Sequence, residues 1–321
     1  MTMTEEDEAL ADALPDIVNA LAVSPDFEQD ALCFAARNSG LYRSDDGGRS
    51  WRGAYASLQL DAPLPTTAVA VSPAFPSDRT VFAGVGGAVL RTTDGGETWQ
   101  VGTLPAPPPL VTTLVVSPNF ERDGVVLAGT MEDGVLRSAD RGRSWAAWNF
   151  GLLDLSVLCM TISPNFAEDE TLFAGTTSGL FRSTNGGRAW REVAFEPDWA
   201  PVLSVALSPQ FAADGVLYVG TEFSGVFSSR DWGGTWTGQG QDLMAGAVNG
   251  IMLAPQFPTR PDVLVLLSDG LLVSRDGGAS WSEWQSGLRF EQSTASVAAP
   301  RGLEPGAPLL VGLVEGGVVQ L

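Results

Sequence analysis

The sequence predicts an all-β protein built from seven like units, on three observations. The first is a turn motif, S/T-x-D/N-x-G-x-x-W, present at residues 44–51, 92–99, 138–145, 183–190, 229–236 and 274–281. Its tryptophans, Trp51, Trp99, Trp145, Trp190, Trp236 and Trp281, lie 48, 46, 45, 46 and 45 residues apart. The second is a Ser/Ala-Pro-x-Phe motif whose prolines, Pro25, Pro73, Pro118, Pro164, Pro209 and Pro255, keep the same period, with a degenerate seventh copy at Pro300. The third is the pattern inside each unit, which reads as short apolar runs bounded by Gly, Pro, Asn and Asp. A fixed period near 45 residues with four short strands per unit describes the blade of a β-propeller.

The elements follow in chain order. Residues 1–16 form an acidic segment, readable as a short capped helix with acids in its first turn or as a strand that closes the ring. Residues 17–321 are the propeller. In the fourth unit, strands are expected over 155–162, 171–176, 179–183 and 189–195. Pro164 follows the first of them, where a missing N–H costs least. The seventh unit offers strands over 294–298, 309–314 and 317–321 and no outer strand. The expectation is seven blades with the last incomplete; the alternative is six blades and a cap.

The turn motif has a structural reading. Asp46, Asp94, Asp140, Asn185, Asp231 and Asp276 can accept bonds from nearby backbone N–H groups. The glycines supply conformations that a side chain forbids, and the Ser or Thr adds a local bond. Each Trp then buries roughly 150–250 Å² between sheets. Asn185 can make the same local bonds as the aspartates it replaces.

This motif resembles the Asp-box, or BNR repeat, of sialidase, sortilin-ectodomain, xyloglucanase and photosystem II assembly-factor propellers. The resemblance covers residues 17–321. It implies the propeller fold, but these families share turns rather than chemistry. The sialidase pattern of an arginine triad, a Tyr nucleophile with Glu, and an Asp acid/base finds no Tyr here. Tyr42 and Tyr218 align with core positions, and Tyr55 is expected on an outer strand. The xyloglucanase pattern needs two carboxylates between two propellers, and one propeller supplies half of that cleft.

Composition narrows the chemistry. The net charge is −20, and with no His and no Lys all 18 basic residues are Arg. That balance argues against nucleic acid and anionic membranes as partners. With no His and only Cys33 and Cys159, both at packing positions, nitrogen and thiolate metal sites and His-based nucleophilic systems are excluded. No cofactor or metal is expected. The N-terminus has no secretory pattern and no run spans a membrane, so the expectation is a cytoplasmic protein.

Function is then sought where the repeat varies. The Trp turns occupy one face. The opposite face carries the second-to-third-strand turns and the blade-to-blade links, and it is where the resemblance places ligands. On it stand Arg37, Glu132, Asp133, Glu222, Phe223, Asp269 and Glu315. Arg37 could hold an anion or pair with a neighbouring acid. The acids would suit a basic partner, or be solvated loop charges. Trp148, Trp199, Trp232 and Trp284 lie outside the motif position, as interface aromatics or as packing. The leading expectation is a non-catalytic scaffold or assembly factor that binds a protein with a basic surface. The alternative is a carbohydrate-binding or glycosidase-like propeller that uses a carboxylate pair.

Overall fold

Seven antiparallel sheets are arranged as a ring in the structure, a computed structural model that describes residues 15–194, 199–244 and 246–321. Blades 1 to 6 have four strands in sequence order, and blade 7 has three among the described residues. Blade 1 comprises Val18–Val23, Cys33–Arg37, Gly40–Ser44 and Arg52–Gly53. Blade 4 comprises Val157–Ile162, Leu172–Thr176, Leu180–Ser183 and Arg191–Glu192. Blade 7 comprises Thr294–Ala298, Leu310–Leu313 and Val318–Gln320. The fold is therefore the seven-bladed propeller, not six blades and a cap. Among the described residues the fourth strand of blade 4, expected over 189–195, is confined to Arg191–Glu192. The helix or closing strand expected over residues 1–16 lies, up to residue 14, outside the described residues.

First strands pack against one another around the axis, that of blade 7 against that of blade 1. The ring is pinned by seven side-chain bonds to the carbonyl of the next blade. Asn19 donates to Thr66, Thr67 to Val111, Thr112 to Val157, Cys159 to Val202, Ser204 to Val248, Asn249 to Thr294 and Ser296 to Val18. The last of these, at 2.7 Å, closes the circle across 278 residues of sequence. Cys159 occupies one donor position, and its bond is the longest at 3.6 Å. Burial pushes its thiol up to about 12. Cys33 is raised to about 12 by the same cause, and both are free thiols in packing positions.

Blades 1 to 5 each have two turns on one side of the ring, and they hold each other. After Ser-Pro-x-Phe the chain makes one helical turn ended by a left-handed residue, such as Ala31 (φ 49°) or Glu170 (φ 46°). That residue's carbonyl accepts a bond from the Asp-box turn, as in Gly47 N–H to Ala31 and Gly186 N–H to Glu170. The hydroxyls of Ser24, Ser72, Ser117, Ser163 and Ser208 donate to Asp30, Asp78, Asp123, Asp169 and Asp214. This second repeated aspartate is a structural staple beside the turn motif.

Within the turn motif that resembles an Asp-box, and is called by that name, Asp46 accepts from the Arg49 and Ser50 N–H groups and from the Ser44 and Ser50 hydroxyls. The geometry recurs at Asp94, Asp140, Asp231 and Asp276. Blade 4 loses two parts of it together. Asn185 replaces the acid and Ala189 replaces the hydroxyl that would donate to its second oxygen.

These bonds hold Asp46, Asp94, Asp140, Asp231 and Asp276 down at about 2, from an ordinary 3.8. For Asp46 and Asp276 the largest cause is the hydroxyl of Ser50 or Ser280, and for Asp231 that of Ser229. For Asp94 and Asp140 burial is the largest single influence and raises the value, but the combined bonds outweigh it. A depressed folded-state pKa stabilises the fold above the unfolded value and loses that contribution as pH falls through the folded value. The urea midpoint should therefore hold above about pH 4 and fall between about pH 4 and 2. Asp94→Asn should show a shallower fall than the unsubstituted chain; an identical slope would show that these carboxylates do not drive acid unfolding.

Among the described residues no helix is long and apolar enough to cross a membrane, and no cluster of three or more Cys, Asp and Glu could hold a metal ion.

Candidate functional surface

The face opposite the Asp-boxes is built where links between blades cross the second-to-third-strand turns. The link into blade 3 meets blade 2 through Gly87 N–H to Pro109 O. The link into blade 4 spans two turns. Leu155 O accepts from Gly134 of blade 3, and Ser156 O accepts from Thr177 of blade 4. Asp154 fastens it further, accepting from the Thr177 hydroxyl and the Ser178 N–H at 2.8 Å each. Burial is the largest influence on Asp154 and raises its pKa, but these bonds and the Ser156 N–H carry it below the ordinary value.

A rigid link of this kind can hold apolar side chains in water that would otherwise collapse inward. Phe150 is 80% exposed and Leu153 79%. Leu155 is also exposed, directly beside the turn that carries Glu132 and Asp133. Glu132 adopts a left-handed φ of 73°, and Asn149 bonds the carbonyl of Asp133 and the N–H of Val135, which fixes that turn. On blade 5, Phe223 tips its turn at 69% exposure beside Glu222, whose N–H is held by Pro201 O.

Of the nine large apolar side chains exposed among the described residues, five lie in links between blades (Leu60, Phe150, Leu153, Leu155 and Leu243), Leu110 begins a first strand and Phe223 tips a second-to-third-strand turn. The other two, Val101 and Trp232, lie on an outer strand and in an Asp-box turn. Such a bias marks an interaction surface more often than scattered apolar residues do. The sequence reading found Phe223 but not Phe150, Leu153 or Leu155. Their signal was an apolar link, Phe150–Leu155, lying between two strands where polar residues are usual.

The remaining candidates separate. Arg37 is committed to the molecule itself. It pairs with Asp16 at 2.5 Å and lies over the Tyr42 ring at 4.7 Å, at the seam of blades 7 and 1. Glu315 is exposed on the neighbouring turn of blade 7. Asp269 is exposed at the mouth of a groove of about 420 Å³ on blade 6, with Leu243, Trp281, Glu283, Leu288 and Arg289. The structure thus brings Glu132 and Asp133 together with the apolar link, sets Glu222 and Phe223 together on blade 5, and leaves Arg37, Asp269 and Glu315 apart.

Other aromatic groups are used in packing. Trp148 stacks under Arg137 at 4.3 Å and Trp284 under Arg275 at 5.2 Å, while Trp199 stacks on Phe227 at 3.8 Å. Tyr218 is buried, donates to Gly277 O and is pushed up to about 12 by burial. Tyr55 departs from its expected place. The outer strand ends at Gly53, and Tyr55 turns inward beyond it, edge-on to Trp99 and bonded to Thr66. Burial raises its pKa, the reverse of what a nucleophilic phenolate needs.

No protein-family model matches the chain, and no curated protein matches it. Solved structures do resemble it. The GH74 xyloglucanase from Xanthomonas campestris aligns with a TM-score of 0.71 and 20% identity, over 96% of this chain and 52% of that one. YCF48 bound to D1 peptide aligns with a TM-score of 0.70 and 16% identity, over 96% and 93%. YCF48 from Cyanidioschyzon merolae aligns with a TM-score of 0.68 and 13% identity, over 96% of each. The chain therefore spans half of the xyloglucanase and nearly all of YCF48. At these identities the likeness establishes the propeller fold and leaves function to the surface.

Proposed function

We propose that the chain is a non-catalytic propeller that holds a protein partner on its variable face, as a scaffold or assembly factor. The observation that carries this reading is the exposed apolar link of Phe150, Leu153 and Leu155 beside the turn that carries Glu132 and Asp133. Apolar anchors bounded by charge are the anatomy of a protein interface. Glu132, Asp133 and Glu222 give the rim a negative sign, in keeping with the net charge of −20, and favour a partner segment carrying Arg or Lys. The similar YCF48 structure with a bound D1 peptide supports a peptide as the kind of ligand this fold accepts. Under this reading Arg37 and Glu315 serve the seam or the outer rim, and Asp269 a secondary groove.

The glycosidase reading rests on the likeness to a xyloglucanase and on the groove that holds Asp269, Glu283 and Trp281. A general acid in such a site needs a raised pKa. Glu283 is shifted the other way, by the Gly287 N–H and then by Arg289 at 2.9 Å. Asp46, Asp94, Asp140, Asp154, Asp231 and Asp276 are likewise held below the ordinary carboxylate value. The docking reading is tested by making the partner complex with Leu153→Asp, which should weaken it. Turnover of xyloglucan that disappears in Asp269→Asn would instead favour the enzyme.

A further inference from the structure

Blade 4 repeats half of an ion network that blade 1 completes. In blade 1, Arg43 on the third strand stands directly opposite Arg52 on the fourth. Like charges directly opposite one another destabilise a sheet. Here two acids neutralise them. Arg43 contacts Asp45 and Glu97 at 2.6 Å each, and Arg52 contacts Glu97 at 2.8 Å and Asp45 at 3.5 Å. Arg43 also donates to Gly95 O of the next blade's Asp-box.

In blade 4 the same positions are Arg182 opposite Arg191. Arg182 donates to Trp232 O, the counterpart of the Gly95 carbonyl. Both acids are missing. Thr184 stands where Asp45 stands, and Gly234 where Glu97 stands. The box acid of this blade is Asn185, which removes a third negative charge. In place of the carboxylates there is an open cleft of about 540 Å³, lined by both arginines, Thr184, Asn185, Trp232 and Gly234.

The arginines are left short of partners. The Arg182 Nε is buried and makes no hydrogen bond, as in Arg91 and Arg137 at the same position, but among the described residues only in blade 4 does a second arginine stand opposite it with no acid between them. Burial lowers the Arg182 pKa, and Asp169 opposes this more weakly. Among the described residues no acid pairs with Arg191. Asp231 and Glu192 also reach the cleft, but Asp231 is already bonded by Ser229 and Thr235. Blades 2 and 3 do not offer this pair, since Gln100 and Ala146 replace the second arginine opposite Arg91 and Arg137.

We propose that the cleft between blades 4 and 5 is an anion-binding site. It takes an oxyanion of the carboxylate or phosphate type, held between Arg182 and Arg191 in the place that Asp45 and Glu97 fill in blade 1. Two guanidinium groups around one oxyanion give charge-assisted, geometrically matched bonds. The site lies on the Asp-box side of the ring and is independent of partner docking on the variable face.

Calorimetric titration of the full chain with sodium phosphate, and separately with sodium succinate, tests this against sodium chloride at equal ionic strength. Saturable binding of one or both is expected, and the tighter one identifies the class of anion. Arg191→Gln and Arg182→Gln should each weaken it by about tenfold or more, the loss of one charge-assisted bond. Thr184→Asp rebuilds the blade 1 acid and should abolish binding while Tm stays level or rises. That variant keeps the test decisive if Arg182→Gln folds poorly. Absence of saturable binding to either anion would overturn the proposal, as would an affinity unchanged in Thr184→Asp and Arg191→Gln.

Discussion

Trp190→Ala should destabilise the fold by about 3–5 kcal/mol, the usual cost of deleting a large buried aromatic. Trp190 is 2% exposed, packs with Leu127, Phe181 and Met160, and donates its indole N–H to Trp148 O of the preceding blade at 2.8 Å. Removing it opens a cavity and leaves a seam carbonyl without its donor, two penalties at one place. Trp51→Ala is the matched control. Trp51 is half-buried, and its N–H returns to Gly48 O in its own turn, as those of Trp145 and Trp281 do to Gly142 and Gly278. Its loss should cost about half as much or less. Trp99 belongs with Trp190, because it donates across the seam to Ala54 O. Urea midpoints for the two variants check the ranking; equal losses would mean that the cross-seam bond contributes nothing.

The double variant Phe150→Ser, Leu153→Asp should weaken partner binding by about a hundredfold or more, while stability changes by about 0.5 kcal/mol or less. The two effects separate because both side chains are about four-fifths exposed in the free protein. In a complex they would be the apolar centre of the interface, where truncation costs most. Val101→Asp supplies the control. Val101 is also exposed, at 61%, but on the outer strand of blade 2. It should leave binding unchanged. Binding curves for the three proteins, set beside their thermal midpoints, distinguish a docking defect from a folding defect.

The fold was legible in the sequence because one structural solution was written six times in register. The two turn motifs recur at the same period, which fixed the size of the blade, while the seventh, incomplete copy left six or seven blades open until the sheets were placed. The ring-closing donors were not legible. Asn19, Thr67, Cys159, Ser204 and Ser296 differ in chemistry and share only a position that becomes visible when the first strands are placed around an axis. Of the two readings of Arg37, an anion site or an ion pair with a neighbouring acid, the pair is what forms, and only its partner was hidden, since Asp16 lies 21 residues upstream, outside the repeat. Phe150 and Leu153 were hidden for another reason. An apolar residue in a link reads as core until the structure shows that the link is fastened across two turns and cannot fold it inward. The charge of the rim was legible, since acids on turns of this face need no tertiary information.

Capture from the native host at native expression tests the central claim most directly, with the unsubstituted chain, the Phe150→Ser, Leu153→Asp variant and Val101→Asp as parallel baits. The account predicts one stoichiometric protein retained by the unsubstituted chain and by Val101→Asp and lost from the double variant. A partner held equally by all three, or none held by the unsubstituted chain, would contradict it.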